Sequence, residues 1–193
     1  VERSRGLGDV YKRQPYIDIL DEGEELAGDN RGFEQGDTSG WGHGSNVSLT
    51  AQSTVVHNGS YAGKVDFVAA SGYRNVYTQY SNAKQNWWYR LSIWAKRPDG
   101  AGSRTYALRL IENYPTWSIL ASRWITVTEN WQEFVLYGKT DNDTERIQLM
   151  LVGDNYTDAD TVYIDDASIK EVSYIKTRLG NLEGIPYCSG SGL

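Results

Sequence analysis

Trp87-Trp88-Tyr89-Arg90-Leu91-Ser92-Ile93-Trp94-Ala95-Lys96-Arg97 reads as two interleaved sets: Tyr89, Leu91, Ile93 and Ala95 form one, and Trp88, Arg90, Ser92 and Trp94 form the other. Side chains alternate across a strand, so a period of two puts the first set on a core and the second on the opposite face. The same period recurs further along. Ile147, Leu149 and Leu151 alternate with Gln148, Met150 and Val152, and Val162 and Ile164 lead into Asp165-Asp166. Segments of this kind, parted by Gly, Asn and Asp clusters, predict strands at roughly 46–56, 61–69, 74–80, 87–97, 104–112, 118–128, 131–138, 146–153 and 161–171. His57-Asn58-Gly59-Ser60 lies between two of them, and Asn-Gly is a strong hairpin signal because both residues accept positive φ. No long 3.6-residue period competes, so the expected fold is all-β, a two-sheet β-sandwich (jelly roll) of about nine strands.

Composition narrows the classes of function. With 193 residues, 39% hydrophobic and 23% charged, the chain suits one globular domain, and no apolar run reaches the roughly 18 residues a membrane helix needs. Nineteen Lys and Arg against 25 Asp and Glu give a net charge of -6, which repels phosphate backbones and argues against a nucleic-acid partner. One cysteine, Cys188, forms no intrachain disulfide, and two histidines, His43 and His57, are too few for most zinc or triad chemistry. Seven Trp and 14 Tyr against 3 Phe mean that the aromatics mostly carry a polar edge, a mix suited to wet contacts such as sugars or protein interfaces.

The termini differ from the middle. Residues 1–14, VERSRGLGDVYKRQ, are basic, lack periodicity, and resemble read-through of a cloning or sequencing adapter in an assembled environmental sequence. Residues 15–31 carry six carboxylates, Asp18, Asp21, Glu22, Glu24, Glu25 and Asp29, with few apolar positions, and read as a solvated lead-in to the domain at 32–171. Residues 172–193 continue with Tyr174, Ile175, Leu179, Leu182 and Ile185, as a C-terminal extension or the start of a further segment.

Five signatures occur in one order: Asn30-Arg31-Gly32-Phe33-Glu34 with Gly36 and Trp41; His57-Asn58-Gly59-Ser60-Tyr61-Ala62; Tyr89 to Lys96; Trp131-Gln132-Glu133-Phe134; and Val162-Tyr163-Ile164-Asp165-Asp166-Ala167-Ser168-Ile169. Together they resemble carbohydrate-binding modules of families four, nine and twenty-two, within the galactose-binding-like jelly rolls, over residues of about 30 to 171. The resemblance implies a structural calcium ion, a concave sheet lined by aromatics that bind polysaccharide, and an extracellular host protein with an attached catalytic or virion domain. By that analogy Glu34 and Asp165 are side-chain calcium ligands, with a backbone carbonyl near Lys64, and Asp166 is a further ligand or a solvated neighbour. Calcium takes six to eight oxygen ligands, which carboxylates from the two ends of the domain can supply together. From the residues alone, Asp165 and Asp166 equally end a strand, and Glu34 caps a turn.

The candidate sugar-binding set is Tyr73, Trp88, Trp94, Arg109, Glu112, Tyr114, Trp117 and Trp124. Aromatic planes suit the CH-rich faces of sugars, and forked polar groups suit their hydroxyls. Trp41 and Trp131, tied to the structural motifs, are expected to be buried. Catalysis is not expected: no strand carries the clustered carboxylates of a sandwich glycosidase, and neither histidine lies near a Gly-x-Ser-x-Gly elbow. The competing function is a structural or interaction domain of a phage particle, tail or cell-surface adhesin without glycan binding of its own.

Overall fold

The computed structural model describes residues 17–177 apart from 20, 21, 69–71, 73, 115, 154–157 and 174. The basic segment 1–14 and the run after 177 lie outside the described residues, as does the candidate Tyr73. All nine expected strands are present: β4 (Val47–Gln52), β5 (Ala62–Phe67), β6 (Asn75–Thr78), β8 (Trp88–Lys96), β9 (Arg104–Tyr114), β10 (Ser118–Val127), β11 (Gln132–Lys139), β12 (Arg146–Gly153) and β13 (Asp160–Val172). Five short strands add to them: β1 (Ile17–Ile19), β2 (Glu22–Glu25), β3 (Trp41–His43), β7 (Ser81–Asn82) and β14 (Ile175–Thr177).

Two six-stranded antiparallel sheets face each other. The front sheet runs β10-β9-β12-β6-β3 with β7 also on β12, and the back sheet runs β11-β8-β13-β5-β4 with β2 also on β13. Tyr89, Leu91, Ile93 and Ala95 of β8 are fully buried against Tyr106, Leu108 and Leu110 of β9 and Ile147, Leu149 and Leu151 of β12 in one core. The alternation read from the sequence therefore assigns inner faces correctly on both sheets.

Phe33 enters the core from the loop before β3 with φ of 63°, and its ring stacks on Trp41 at 4.9 Å between centroids. The ring lies across Gly63, where a Cβ would come within 2.3 Å of it, so a side chain at 63 would evict the aromatic. Asn30 holds the turn: its Oδ1 accepts from the Gln35 amide, its Nδ2 donates to the carbonyls of Asp37 and Ser39, and its own carbonyl accepts from the Trp41 indole.

The expected solvated lead-in is corrected by the structure. Glu22–Glu25 pairs with Lys170 and Val172 as a strand of the back sheet. It lacks apolar residues, and charges hold it: Glu22 meets Lys170 at 3.0 Å and Arg90 at 3.6 Å, while Glu25 accepts from the Ile169 amide and the Ser168 hydroxyl. The domain also runs past 171, since β13 ends at 172 and Ile17–Ile19 pairs with Ile175–Thr177.

At one end the sheets are stapled by charge. Asp160 of β13 accepts from Arg97, just past β8, at 2.6 Å and from the Tyr106 hydroxyl of β9, with Arg104 at 3.5 Å. Burial, then the facing Asp160 carboxylate, pushes the Tyr106 phenol far above its ordinary value, so it stays a donor.

Candidate functional site

Register decides which residues share the open face of the front sheet, because directly opposite residues in an antiparallel pair point the same way. Ala107, Arg109 and Ile111 of β9 lie opposite Val152, Met150 and Gln148 of β12, and opposite Trp124, Ser122 and Ile119 of β10. Across β12, Met150 and Val152 meet Tyr77 and Asn75 of β6, and Tyr77 meets Gly42 of β3. All of these are out of phase with the core set. Yet Ala107, Ile111, Met150 and Gln148 are buried, so the middle of the face is a floor with raised sides.

The sides are aromatic. Trp124 is 58% exposed, and Trp117, immediately before β10, is 54% exposed. At the other edge the Tyr77 ring covers Gly42, where a Cβ would meet it at 2.4 Å, and a hollow of about 350 Å³ opens among Trp41, Gly42, Tyr77, Thr78, Gln79 and Tyr80. Two buried polar atoms on this face have no hydrogen-bond partner: Nε of Arg109 and Oε1 of Gln148. A flat apolar floor, aromatic walls and unspent polar groups can hold an elongated ligand with apolar faces and hydroxylated edges.

The structure divides the candidate sugar-binding residues. It brings Trp117, Trp124 and Arg109 together on the open face or beside it. Tyr114 ends β9, and its backbone pairs with Arg146. Trp88 and Trp94 do not join them, because their outward side belongs to the back sheet: Trp88 is 7% exposed, and Trp94 stacks on His57 at 3.7 Å. Glu112 also departs, since it continues the inward phase of Tyr106, Leu108 and Leu110 and lies opposite Ile147 of the core; it is buried and accepts from the Ser118 hydroxyl. Tyr77, Met150 and Gln148 are residues of the face that sequence reasoning did not select.

A second cluster lies on the outer side of the back sheet, beneath the loop 57–61. Asp165 is fully buried; its Oδ2 accepts from the amides of His57 (3.0 Å) and Asn58 (3.3 Å), and its Oδ1 from the Asp166 amide. Asp166, at φ of 45° in an irregularity of β13, sets its Oδ2 2.9 Å from His57 Nδ1 and accepts from it in the tautomer that carries the proton there. Glu34 grips the same loop farther on, through the amides of Ser60 and Tyr61. Burial pushes the Asp165 carboxyl up to about 6; the amide donors oppose this, and the Asp166 charge adds to it.

His57, Asp165 and Asp166 offer donor atoms within 4.8 Å of one another. Among the described residues the ion-pair partner of Asp166 is His57, charged only when protonated, and no Lys or Arg pairs with Asp165 or Asp166, a setting that suits a hard divalent cation. Lys64 is the residue near which a ligating backbone carbonyl is expected. It sits within β5 between Thr50 and Tyr163, where the sheet ladder takes up backbone groups, and its ammonium meets Asp66 at 2.8 Å. His57, expected as a turn residue, also packs against Trp131 at 5.6 Å.

Against known proteins, a family model described as a carbohydrate binding domain, of the four-and-nine type, matches residues 28–158. The chain belongs to that family. Its carbohydrate-binding-domain fold recurs in solved structures of low sequence identity. The CBM22-1 xylan-binding domain of Paenibacillus barcinonensis Xyn10C is 13% identical with a TM-score of 0.58, over 80% of this chain and 96% of that one. The CBM22-1 and GH10 modules of Clostridium thermocellum xylanase Xyn10B, complexed with xylohexaose, are 20% identical with a TM-score of 0.57, over 78% of this chain and 28% of that one. The enzymatically active domain of tailspike protein 4 of bacteriophage CBA120 is 13% identical with a TM-score of 0.56, over 76% of this chain and 21% of that one. No curated protein sequence matches the chain. No helix among the described residues is long and apolar enough to cross a membrane.

Proposed function

We propose that this carbohydrate-binding domain is a non-catalytic module that holds a polysaccharide along the open face of the front sheet and works outside the cell as part of a larger protein. The observation that carries this reading is the pairing of an exposed Trp124 wall with a buried floor of Ala107, Ile111 and Met150 and the unpartnered groups of Arg109 and Gln148. Solved structures of this fold include a xylan-binding domain and modules complexed with xylohexaose, which makes β-linked chains the first ligands to try. The strands of the open face carry no carboxylate pair among the described residues, and general acid–base glycoside hydrolysis uses such a pair, which supports holding rather than cutting.

Calcium belongs to the same proposal at the back-sheet cluster. Asp165 and Asp166 would hold it, with Glu34 fixing the loop beside them; the ion would neutralise the buried charge there and tie the loop 57–61 to β13.

The test is affinity electrophoresis on xylan, mixed-linkage glucan, laminarin and alginate with calcium present. Wild type should be retarded on one or two gels. Trp124→Ala, folded by circular dichroism, should be retarded markedly less, while Trp94→Ala should be retarded as wild type is. If no glycan on a broad panel retards wild type, the face is a protein interface instead, as in the structural-domain reading.

A further inference from the structure

Taking the open face as the glycan site, we infer that its ligand is an acidic polysaccharide, one whose sugars carry carboxylates. The charge on that face is one-sided. Arg109 sits at its centre, flanked across the strands by Ser122 and Met150, neither of which can neutralise it. Arg146, in phase with Gln148 and Met150, stands at the end of the same face opposite Asn82. No Asp or Glu on these strands shares the open face among the described residues, although the chain as a whole carries a net charge of -6. Glu112, the nearby acidic side chain of β9, is turned to the core side opposite Ile147. Asp158 borders the far end near Thr105 and Thr126, with Arg97 and Arg104 beside it.

Two features separate this from an ordinary surface arginine. Arg109 is half-buried with its Nε wholly covered and unpartnered, and Gln148, on the adjacent strand, is 2% exposed with its Oε1 equally unpartnered. A neutral glycan laid over this floor would strip water from the guanidinium and leave its charge uncompensated. A carboxylate instead accepts two parallel N–H bonds from the guanidinium fork, and a desolvated pair of that kind is far stronger than one in open water. Trp124 lies opposite Ala107, two residues from Arg109, and diagonal neighbours of that kind are about 7–8 Å apart. A pyranose stacked on Trp124 would therefore carry its ring carboxylate within reach of Arg109. The Gln148 amide, one pair farther, would face the next sugar's hydroxyls.

The test is isothermal titration with hexamers of galacturonate, mannuronate and guluronate, their methyl esters, and xylohexaose, short chains being used so that calcium does not gel them. Expected is at least one uronate hexamer bound about tenfold or more tighter than its own ester, a difference that R109Q erases and R109K reduces, since a hydrogen bond to a charged group contributes roughly ten- to hundredfold in affinity. Both variants should melt as wild type does. If xylohexaose or an ester binds as well as every uronate, and R109Q changes nothing, the acidic ligand is wrong while the module reading stands. If no hexamer binds, and W124A behaves as wild type, both readings fall together.

Discussion

Replacing Asp160 with Asn removes one charge from the interior while preserving shape. The carboxylate is 2% exposed and lies 2.6 Å from the Arg97 guanidinium, itself 10% exposed, with Arg104 at 3.5 Å and the Tyr106 hydroxyl bound as well. The mutation leaves two poorly hydrated guanidinium groups facing a neutral amide. Breaking one side of a buried pair costs about 3–5 kcal/mol, because the surviving charge has lost its compensation. Asn can still accept from Arg97, which places the expected loss near the lower figure, about 3 kcal/mol. In a domain of this size each kcal/mol moves Tm by about 2–4 °C, so D160N should melt roughly 6–12 °C below wild type. Tyr106→Phe removes a single hydrogen bond to the carboxylate without stranding a charge, a loss of about 1.5 kcal/mol, and should lower Tm by about 3–6 °C. The measurements are thermal and urea unfolding followed by circular dichroism. A D160N protein within about 1 kcal/mol of wild type would refute the argument, showing that water reaches the cluster and that the sheets are not stapled there.

Trp124→Ala should weaken glycan binding by about three- to tenfold from one lost stacking contact, read by titration, with Trp94→Ala unchanged because its ring faces His57 on the other sheet. Chelation in a metal-free buffer should lower Tm by several degrees, since a ligand at about 100 times its Kd adds about 2.7 kcal/mol, and Asp165→Ala should abolish the difference; no chelator effect on wild type would remove calcium from the proposal. Gly63→Ala should destabilise the fold by at least about 2 kcal/mol in urea, because the new Cβ would collide with the buried Phe33 ring, and the F33L/G63A pair should recover part of the loss.

Alternation made the sandwich legible wherever an inner face was apolar, as in Tyr89-x-Leu91-x-Ile93. It was silent at Glu22-Gly23-Glu24-Glu25, whose place in the back sheet depends on cationic partners some 70 to 150 residues away, Arg90 and Lys170. The site was only half legible for a related reason. Period two reports that Trp88, Trp94 and Trp124 oppose the core, but a sandwich has two outer faces, and strand order alone tells them apart. Glu112 was in fact legible, since it stands two residues past Leu110 in the phase of Tyr106 and Leu108, which puts it on the core side. Met150 and Gln148 looked like ordinary members of an alternating strand, and the unpartnered amide oxygen that marks Gln148 exists only after β9 and β12 are brought together.

The short ladder of Ile17–Ile19 with Ile175–Thr177 would acquire a mechanical meaning if both ends of the domain were tethered. Because the two strands run antiparallel with Ile17 beside Thr177, tension pulling these ends apart opens their hydrogen bonds one after another, like a zipper, instead of loading them all at once. The load next reaches the strands that follow inward, Glu22–Glu25 and Asp160–Val172, both in the back sheet. Front-sheet strands lie inward of these along the chain, so under the proposed reading the open face would stay out of the line of force while the ladder yields.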